Sequence, residues 1–258
     1  MSPTAQLALD NILRKPTKGI PVFFCNVMEH DHIDRIAGVP PGTYRERPEE
    51  TYIAMQKALG VCLLDQYIPN NPLTMGSEGY EGTAHGATTG AENVAVDDIL
   101  IDSPEAVVEH MERFVFPRLI EQAASFDEDA RTQQIIESET AIQERLGPEI
   151  LKGPYGFVAF PTLAYGTYGY VNYFSAYALY PDVMERHFAR QADVAVRNNR
   201  AAARACIEGK LPPLYRLDHD MADSRGTLVS IKSLDEIWFP HFARSIVPML
   251  KAGVKLIW

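Results

Sequence analysis

Strand-length apolar runs that alternate with helical patterns constrain the fold of this chain more than any other feature of its sequence. The runs lie at residues 20–26, 61–68, 156–160, 214–221 and 254–258. Strands that alternate with helices are typical of βα units and a parallel sheet. Two α/β architectures remain open: an open sheet, or the first part of a (β/α)8 barrel, which would need three more strands.

The helices predicted between these runs carry ordinary start and stop signals. Pro48 opens a helix over residues 49–59 with acidic residues in its first turn, and Gly60 ends it. Further helices are predicted at residues 105–124, 128–146 and 173–205. No linker divides the chain, so we predict a single domain over residues 1–258.

Two further segments have distinct signals. Ser233 and Glu236 have the spacing of a capping box, so we expect Ser233 to be the N-cap of a helix that reaches Lys251. Residues 70–101 are rich in Gly, Thr and Ser in their first part and alternate weakly in their second. This segment is predicted to form a hairpin or a long excursion.

Composition limits the class of protein. Hydrophobic residues make up 46% of the chain and charged residues 22%, which is ordinary for a globular protein. No apolar run approaches the roughly 18 residues of a membrane-spanning helix, and the first 13 residues lack a secretory signal pattern. We therefore expect a cytoplasmic protein with no membrane partner.

The charge balance bears on the partners. A net charge of −10 argues against a nucleic-acid partner, which would require a basic surface. A small-molecule substrate stays open, even an anionic one, because charge within a cleft can oppose the overall charge. The cysteines at positions 25 and 62 lie in apolar runs and are interpreted as small buried hydrophobic residues.

In parallel βα architectures the active site forms at the carboxyl ends of the strands. After the first run, Asn26 and the segment Glu29-His-Asp-His32 could contact a substrate, with His30 in a proton relay. A metal site is weakly supported there, since no cysteine or third well-spaced histidine accompanies the pair. The alternative is a polar loop that leads into a helical turn at residues 33–38.

The second run ends in polar residues. Asp65 interrupts an apolar strand, and a buried carboxylate is costly unless it is paired. By the two-residue period of a strand, Asp65 and Tyr67 would face the barrel interior. Asp65 is therefore interpreted either as a functional carboxylate or as one member of a buried ion pair or cap.

The third run is followed by a loop at residues 160–170 rich in glycine and tyrosine. Tyr165 and Tyr168 on this loop would suit a substrate wall or lid. Packing against the core is an equal alternative for both.

Charged residues alternate along the fourth run. Arg216, Asp218 and Asp220 would share one face of the strand, and the more apolar face would hold Tyr215, Leu217, His219 and Met221. An Arg216–Asp218 pair leaves Asp220 nearest the catalytic end, where a carboxylate could transfer protons or anchor a polar substrate. Asp220 is thus the first catalytic candidate, with Arg216 and His219 as substrate contacts.

Several segments together resemble the uroporphyrinogen decarboxylase superfamily. They are Asp220-Met-Ala-Asp-Ser-Arg-Gly-Thr, Ile237-Trp-Phe-Pro-His-Phe, the Ala-Gly-Val-Lys-Leu-Ile-Trp run ending at Trp258, His32-Ile-x-Arg-Ile-Ala-Gly38, Pro48-Glu-x-x-Tyr, Asp65 and Gly156-Phe-Val-Ala-Phe-Pro-Thr-Leu. The resemblance spans essentially the whole chain. It implies a distorted TIM barrel whose cleft lies at the carboxyl ends of the strands.

The superfamily contains a porphyrinogen decarboxylase of haem biosynthesis and many corrinoid-dependent methyltransferases. The decarboxylase has an Arg-Gln-Ala-Gly-Arg loop after its first strand, where this chain has Glu29-His-Asp-His32 and Arg35 as the only nearby arginine. Such an acidic loop would repel a polyanionic porphyrinogen. The resemblance therefore favours a methyltransferase-like enzyme with Asp65, His30 and Asp220 in its cleft, and decarboxylation with Asp65 on the pyrrole nitrogens is the alternative.

The resemblance also bears on cofactors and completeness. In the methyltransferases, zinc is held by a His-x-Cys motif directly after the fifth strand and by a later cysteine, and a corrinoid protein is the partner. We expect these ligands beyond Trp258, with only the first five barrel strands present. The third hypothesis is a non-catalytic piece, either a truncated product or a half-barrel that closes by association with another chain. The decarboxylase family is often dimeric, so a homodimer is a further expectation.

Overall fold

Helices dominate the structure, a computed structural model that describes residues 1–24, 27–70, 75–76, 79–80, 86–88 and 94–258. The helices are α1 Pro3–Ile12, α2 His30–Ala37, α3 Thr43–Glu46, α4 Pro48–Ala58, α5 Pro104–His110, α6 Phe116–Ala124, α7 Glu128–Leu146, α8 Tyr165–Tyr168, α9 Tyr170–Leu179, α10 Pro181–Glu208, α11 Ile231–Ile237 and α12 Phe239–Lys251. A π-helical turn, Met111–Val115, joins α5 to α6.

The strands are short. They are β1 Leu63–Leu64, β2 Met75–Gly76, β3 Gly79–Tyr80, β4 Ala95–Val96, β5 Ile99–Leu100, β6 Leu151–Lys152, β7 Leu214–Arg216, β8 Ala222–Asp223, β9 Gly226–Thr227 and β10 Lys255–Ile257. The antiparallel pairs β2–β3, β4–β5 and β8–β9 are local hairpins. A hairpin within residues 70–101 was predicted; residues 71–74, 77–78, 81–85 and 89–93 lie outside the described part.

Two parallel ladders form the centre of the α/β arrangement. β1 pairs with β6, with Leu63 opposite Leu151, and β7 pairs with β10, with Tyr215 opposite Leu256. Phe23 forms an isolated parallel bridge with Leu63, so the first apolar run lies beside β1. The predicted mixed α/β class is confirmed, with two short parallel ladders, and the described residues form no closed sheet.

The third strand was predicted at residues 156–160, and this prediction is wrong. The residues that pair with β1 are Leu151 and Lys152. In the predicted segment, side chains accept the backbone N–H groups: the Tyr215 hydroxyl accepts those of Phe157 and Val158 at 2.7 and 2.8 Å. Because these N–H groups already have an acceptor, they do not require hydrogen bonds from a neighbouring strand.

The capping box at Ser233 is also a wrong prediction. The N-cap of α11 is Ser230, whose hydroxyl accepts the Ser233 N–H at 3.2 Å. The Ser233 hydroxyl lies 3.0 Å from the Tyr177 hydroxyl, and Glu236 pairs with Lys232 on the helix surface. The helix therefore begins at Ile231, before the predicted N-cap, and α11 and α12 meet at Trp238.

The core consists of several apolar clusters that place the strands against helices. β1 packs with α2 and α4 through Leu64, Ile33 and Met55. β7 packs against α10 and α12 through Tyr215, Leu217, Ala202 and Met249, among others. These packings leave the carboxyl ends of β1 and β7 free to carry polar side chains.

The cysteines behave as small apolar residues. Cys62 and Cys206 are buried and free, and burial raises the pKa of the Cys206 thiol to about 12. Cys25 lies outside the described residues. Across the part of the chain that the structure describes, no helix combines the length and the apolar character that a membrane crossing requires.

Candidate functional site

A charged cluster lies at the carboxyl end of β7. The Arg216 Nε atom donates to Asp65 Oδ2 at 2.8 Å, and Nη1 donates to Asp218 Oδ2. The guanidinium carbon lies 4.6 Å from the centre of the Tyr155 ring, and the Tyr155 hydroxyl donates to the same Asp218 carboxylate at 2.9 Å. We call Asp65, Tyr155, Arg216 and Asp218 the Arg216 cluster.

The electrostatics of this cluster follow from burial. The Asp65 side chain is 8% exposed and also accepts the Gln66 N–H at 2.5 Å. Its carboxylate raises the pKa of Arg216, and burial raises the pKa of Tyr155. The contact between Arg216 and Asp218 confirms the expected pair, and Asp65 forms a second ion pair with Arg216. Two carboxylates and one guanidinium give the cluster a formal net charge of −1.

A second site, here called the aromatic cleft, lies around the side chains of Tyr165, Tyr170, Phe174 and Asp220. The Tyr165 ring stacks on Tyr170, His219 and Phe174, with centroids 5.0, 6.1 and 5.9 Å away. A cavity of about 620 Å³ is lined by Tyr165, Tyr170 and Phe174 together with Asp220, Asp223 and Arg225. The sequence predicted Tyr165, His219 and Asp220 as site residues, and the structure brings all three together here.

Hydrogen bonds fix the polar ends of this cleft. The Tyr165 hydroxyl donates to the Asp220 carbonyl at 2.9 Å, and the Leu163 N–H donates to His219 Nε2 at 2.8 Å. Burial lowers the pKa of His219, so its imidazole is neutral at pH 7. Burial and the nearby Asp220 carboxylate raise the pKa of Tyr165, which therefore stays protonated.

The histidine segment after the first apolar run is helical. His30 begins α2, with Glu29 as its N-cap, and the His30 ring lies 4.8 Å from the ring of Tyr44. His32 is exposed, and two positions apart on a helix do not share a face. The structure therefore supports the predicted helical turn, does not place His30 and His32 side by side, and leaves Asn26 outside the described residues.

Two tyrosines lie elsewhere than predicted. The Tyr67 hydroxyl donates to Glu49 of α4 at 2.5 Å, so its side chain faces the helix layer and not the interior, because the chain leaves the strand after Leu64. The Tyr168 hydroxyl lies 2.8 Å from His110 Nδ1, and Tyr168 is buried in the core. Tyr168 therefore packs, which was the alternative interpretation.

Sequence reasoning missed Tyr155 in the cluster and Phe174, Asp223 and Arg225 at the cleft. Tyr155 follows a glycine and a proline after β6, and locating it required the correct third strand. Tyr170 ends the tyrosine-rich loop that the sequence singled out, so its position could have been anticipated.

The arrangement of possible metal ligands identifies no cofactor, and comparison with known proteins identifies no family. Among the described residues, no group of three or more His, Cys, Asp or Glu side chains is arranged to hold a metal ion. No known protein family, curated protein or solved structure matches the chain.

Proposed function

We propose that this chain is a methyltransferase-like enzyme of the uroporphyrinogen decarboxylase kind, with a TIM-type barrel, that removes a methyl group from a small molecule in the aromatic cleft. The stacked rings beside Asp220 are the observation that carries the proposal. A site at the carboxyl ends of parallel strands supports it as well. A corrinoid protein is the proposed methyl acceptor.

The cleft favours a methylated cation as the substrate. Aromatic faces attract quaternary ammonium groups through the negative potential of their rings. Arg225 and Asp223 form an ion pair at 3.0 Å and cancel each other's charge. The Asp220 carboxylate therefore gives the cleft a net charge of −1. A methylated ammonium or sulfonium compound satisfies both features.

Each residue has a defined task in this proposal. Tyr165, Tyr170 and Phe174 hold the methylated group and exclude water, and the neutral His219 keeps the Tyr165 ring in place by stacking. Asp220 binds the positive charge of the substrate and so holds its methyl carbon in position for the acceptor. The acceptor would supply the electron pair for its new bond to the methyl carbon, while the carbon–nitrogen bond breaks with its pair left on nitrogen, so the amine formed has no fixed positive charge.

Porphyrinogen decarboxylation is less well supported. It would use the Asp65 carboxylate to bind pyrrole N–H groups, and that carboxylate already accepts hydrogen bonds from Arg216 and from the Gln66 backbone. The net negative charge of the Arg216 cluster would also repel a polycarboxylate.

Binding measurements test the substrate class. Titration calorimetry would compare choline with its neutral isostere, 3,3-dimethylbutan-1-ol. We expect choline to bind about tenfold more tightly, in line with a desolvated cation–π contact. Asp220→Asn and Tyr165→Leu should remove most of this preference, and Asp235→Asn, an exposed acid on α11, should retain it.

Turnover tests the reaction itself. Free cob(I)alamin would serve as the methyl acceptor with choline as the donor, followed by the change in its absorbance. Asp220→Asn should abolish transfer while the unfolding midpoint stays unchanged. Equal binding of choline and the neutral isostere, or full turnover in Asp220→Asn, would overturn the proposal.

A further inference from the structure

A hydrogen-bond network joins the β4–β5 hairpin to α8, outside the cavity of the aromatic cleft. His110, the last residue of α5, lies at its centre with a side chain only 3% exposed. Its Nε2 atom lies 2.8 Å from Asp97 Oδ2, and its Nδ1 atom lies 2.8 Å from the Tyr168 hydroxyl. Asp97 also pairs with Arg118 of α6. We call these four residues the His110 network.

Charge fixes the direction of each hydrogen bond in the network. Arg118 donates to both oxygens of Asp97, at 2.5 and 2.8 Å, and holds the pKa of that carboxyl well below its usual range. An ionised carboxylate can only accept, so His110 Nε2 carries the proton, and Nδ1 of the neutral ring is left as an acceptor. Burial raises the pKa of Tyr168, so its hydroxyl stays protonated and donates to Nδ1.

The residue held by this network stands between two rings of the cleft. Tyr165 begins α8 and Tyr168 ends it, and Tyr170 begins α9 directly after Gly169. Gly169 has a φ of +81°, so the chain turns sharply between the two helices. The rings of Tyr165 and Tyr170 stack at 5.0 Å. A displacement of Tyr168 would therefore be passed to both rings of the stack.

Helix α8 cannot hold its own position. It has four residues, and helices this short are unstable without tertiary contacts. The Tyr165 hydroxyl anchors one end by donating to the Asp220 carbonyl at 2.9 Å. The hydrogen bond from Tyr168 to His110 anchors the other end.

The hairpin gives the network a fixed point of attachment. Asp97 and Asp98 form its two-residue turn in the left-handed region, with φ of 49° and 64°. Asn172 of α9 donates to the Ile101 carbonyl just after the hairpin, at 2.9 Å. The pair between Asp97 and Arg118 ties the turn to α6.

We propose that Asp97 and His110 are positioning residues of the aromatic cleft, which hold the Tyr168 hydroxyl and through it the stack of Tyr165 on Tyr170. They do this without touching the bound molecule, since neither lines the cavity. A loosened support of this kind weakens a binding site whose own side chains are intact. The effect on substrate rests on the proposed function, whereas the effect on the stack does not.

Fluorine NMR of the full chain, labelled with fluorotyrosine, tests the effect on the stack. The Tyr170 signal is assigned from its loss in Tyr170→Phe. Tyr165→Leu removes the ring that stacks on Tyr170 and gives the signal of an unstacked Tyr170. Tyr168→Phe, which removes only the hydroxyl, should move the Tyr170 signal towards that position.

A second variant and a control accompany this measurement. Asp97→Asn removes the charge but keeps a residue type that tolerates the left-handed turn, and it should move the Tyr170 signal in the same direction. Tyr177→Phe is the matched control, because its hydroxyl lies 3.0 Å from Ser233 Oγ beside the same core cluster. It should leave the Tyr170 signal in place.

Nitrogen NMR tests the direction of the hydrogen bonds. Well above the ordinary histidine pKa of about 6.5, the His110 ring should carry its proton on Nε2. The signal is assigned from its loss in His110→Gln. A proton on Nδ1 would overturn the proposal, because Tyr168 could not then donate to that atom.

Calorimetry with choline measures the effect on binding. Tyr168→Phe and Asp97→Asn should each weaken choline binding about fivefold, the scale of coupling through a packed network. Tyr177→Phe should bind choline as the unaltered protein does. An unaltered affinity in Tyr168→Phe and Asp97→Asn would overturn the positioning role.

The fluorine signals involve no choline, so the two proposals fail separately. An unmoved Tyr170 signal in both Tyr168→Phe and Asp97→Asn would overturn the inference, and so would an equal shift in Tyr177→Phe. Failure of the unaltered protein to bind choline would instead contradict the proposed substrate, while a displaced Tyr170 signal would still support the network.

Discussion

Arg216 Nε lies 2.8 Å from Asp65 Oδ2, although the two residues are 151 positions apart in the chain. Arg216 ends β7, and Asp65 directly follows β1. The side chains therefore join two strands that belong to different parallel ladders. Their contact links the carboxyl ends of the two ladders.

The first prediction concerns this pair. Arg216→Met should lower the free energy of unfolding by about 2–3 kcal/mol, less than the roughly 3–5 kcal/mol of a fully buried pair, because Arg216 is partly exposed. The loss arises because the buried Asp65 carboxylate loses its charged partner. The double variant Asp65→Asn/Arg216→Met should regain much of it in urea unfolding, and a double variant as unstable as the sum of both singles would contradict this account.

The second prediction concerns the Tyr215 hydroxyl, which accepts the N–H groups of Phe157 and Val158. Tyr215→Phe leaves both donors without an acceptor in a buried region, at a cost of about 2–4 kcal/mol in urea unfolding. Tyr180→Phe removes a surface hydroxyl that donates to Glu105 and should leave stability unchanged. Equal stability of the two variants would show that the 157–158 backbone finds other acceptors.

The third prediction is a pH dependence from His187, which is 5% exposed among aromatic side chains. Burial lowers its pKa from 6.5 to about 4, so the unfolded chain binds the proton more readily than the folded one between these values. The stability from burying neutral His187 is present above pH 6.5 and is lost as pH falls towards 4. The unfolding free energy of the unaltered protein should therefore drop about 3 kcal/mol more between pH 7 and pH 4 than that of His187→Leu. Parallel pH profiles for the two proteins would refute it.

The fourth prediction separates the two candidate caps of α11. Ser230→Ala should lower the unfolding free energy by about 1 kcal/mol, because the Ser230 hydroxyl accepts the Ser233 N–H. Glu236→Ala should leave it nearly unchanged, since the pair between Glu236 and Lys232 is long and exposed. Thermal unfolding of both variants checks this, and a larger effect at Glu236 would restore the capping box.

The mixed α/β class and part of the site could be predicted from local patterns. Alternating apolar runs and helical segments indicated parallel pairing, and β7–β10 joins two of the predicted runs in this way, whereas β6 lies outside them. The two-residue period of a strand put Arg216 and Asp218 on one face and Tyr215 and Leu217 on the other. Both faces are predicted correctly because the direction of neighbouring side chains depends on the local backbone alone.

The rest depended on contacts between distant segments. A regular strand would have sent Tyr67 inward with Asp65, but the strand ends at Leu64 and Tyr67 contacts Glu49 of α4. The 156–160 run has the composition of a strand, yet Tyr215 takes two of its N–H groups. Neither competing partner is visible in the local sequence.

Helix α1 has a consequence for the order in which the chain acquires its structure. The Thr4 hydroxyl donates to the Glu149 carbonyl, and Lys255 Nζ donates to the Ile12 carbonyl across 243 positions. During synthesis α1 is made long before residues 149 and 255, so these two contacts can form only after both later segments have been made. Pairings of such long sequence separation slow folding, so we expect these contacts of α1 to form late.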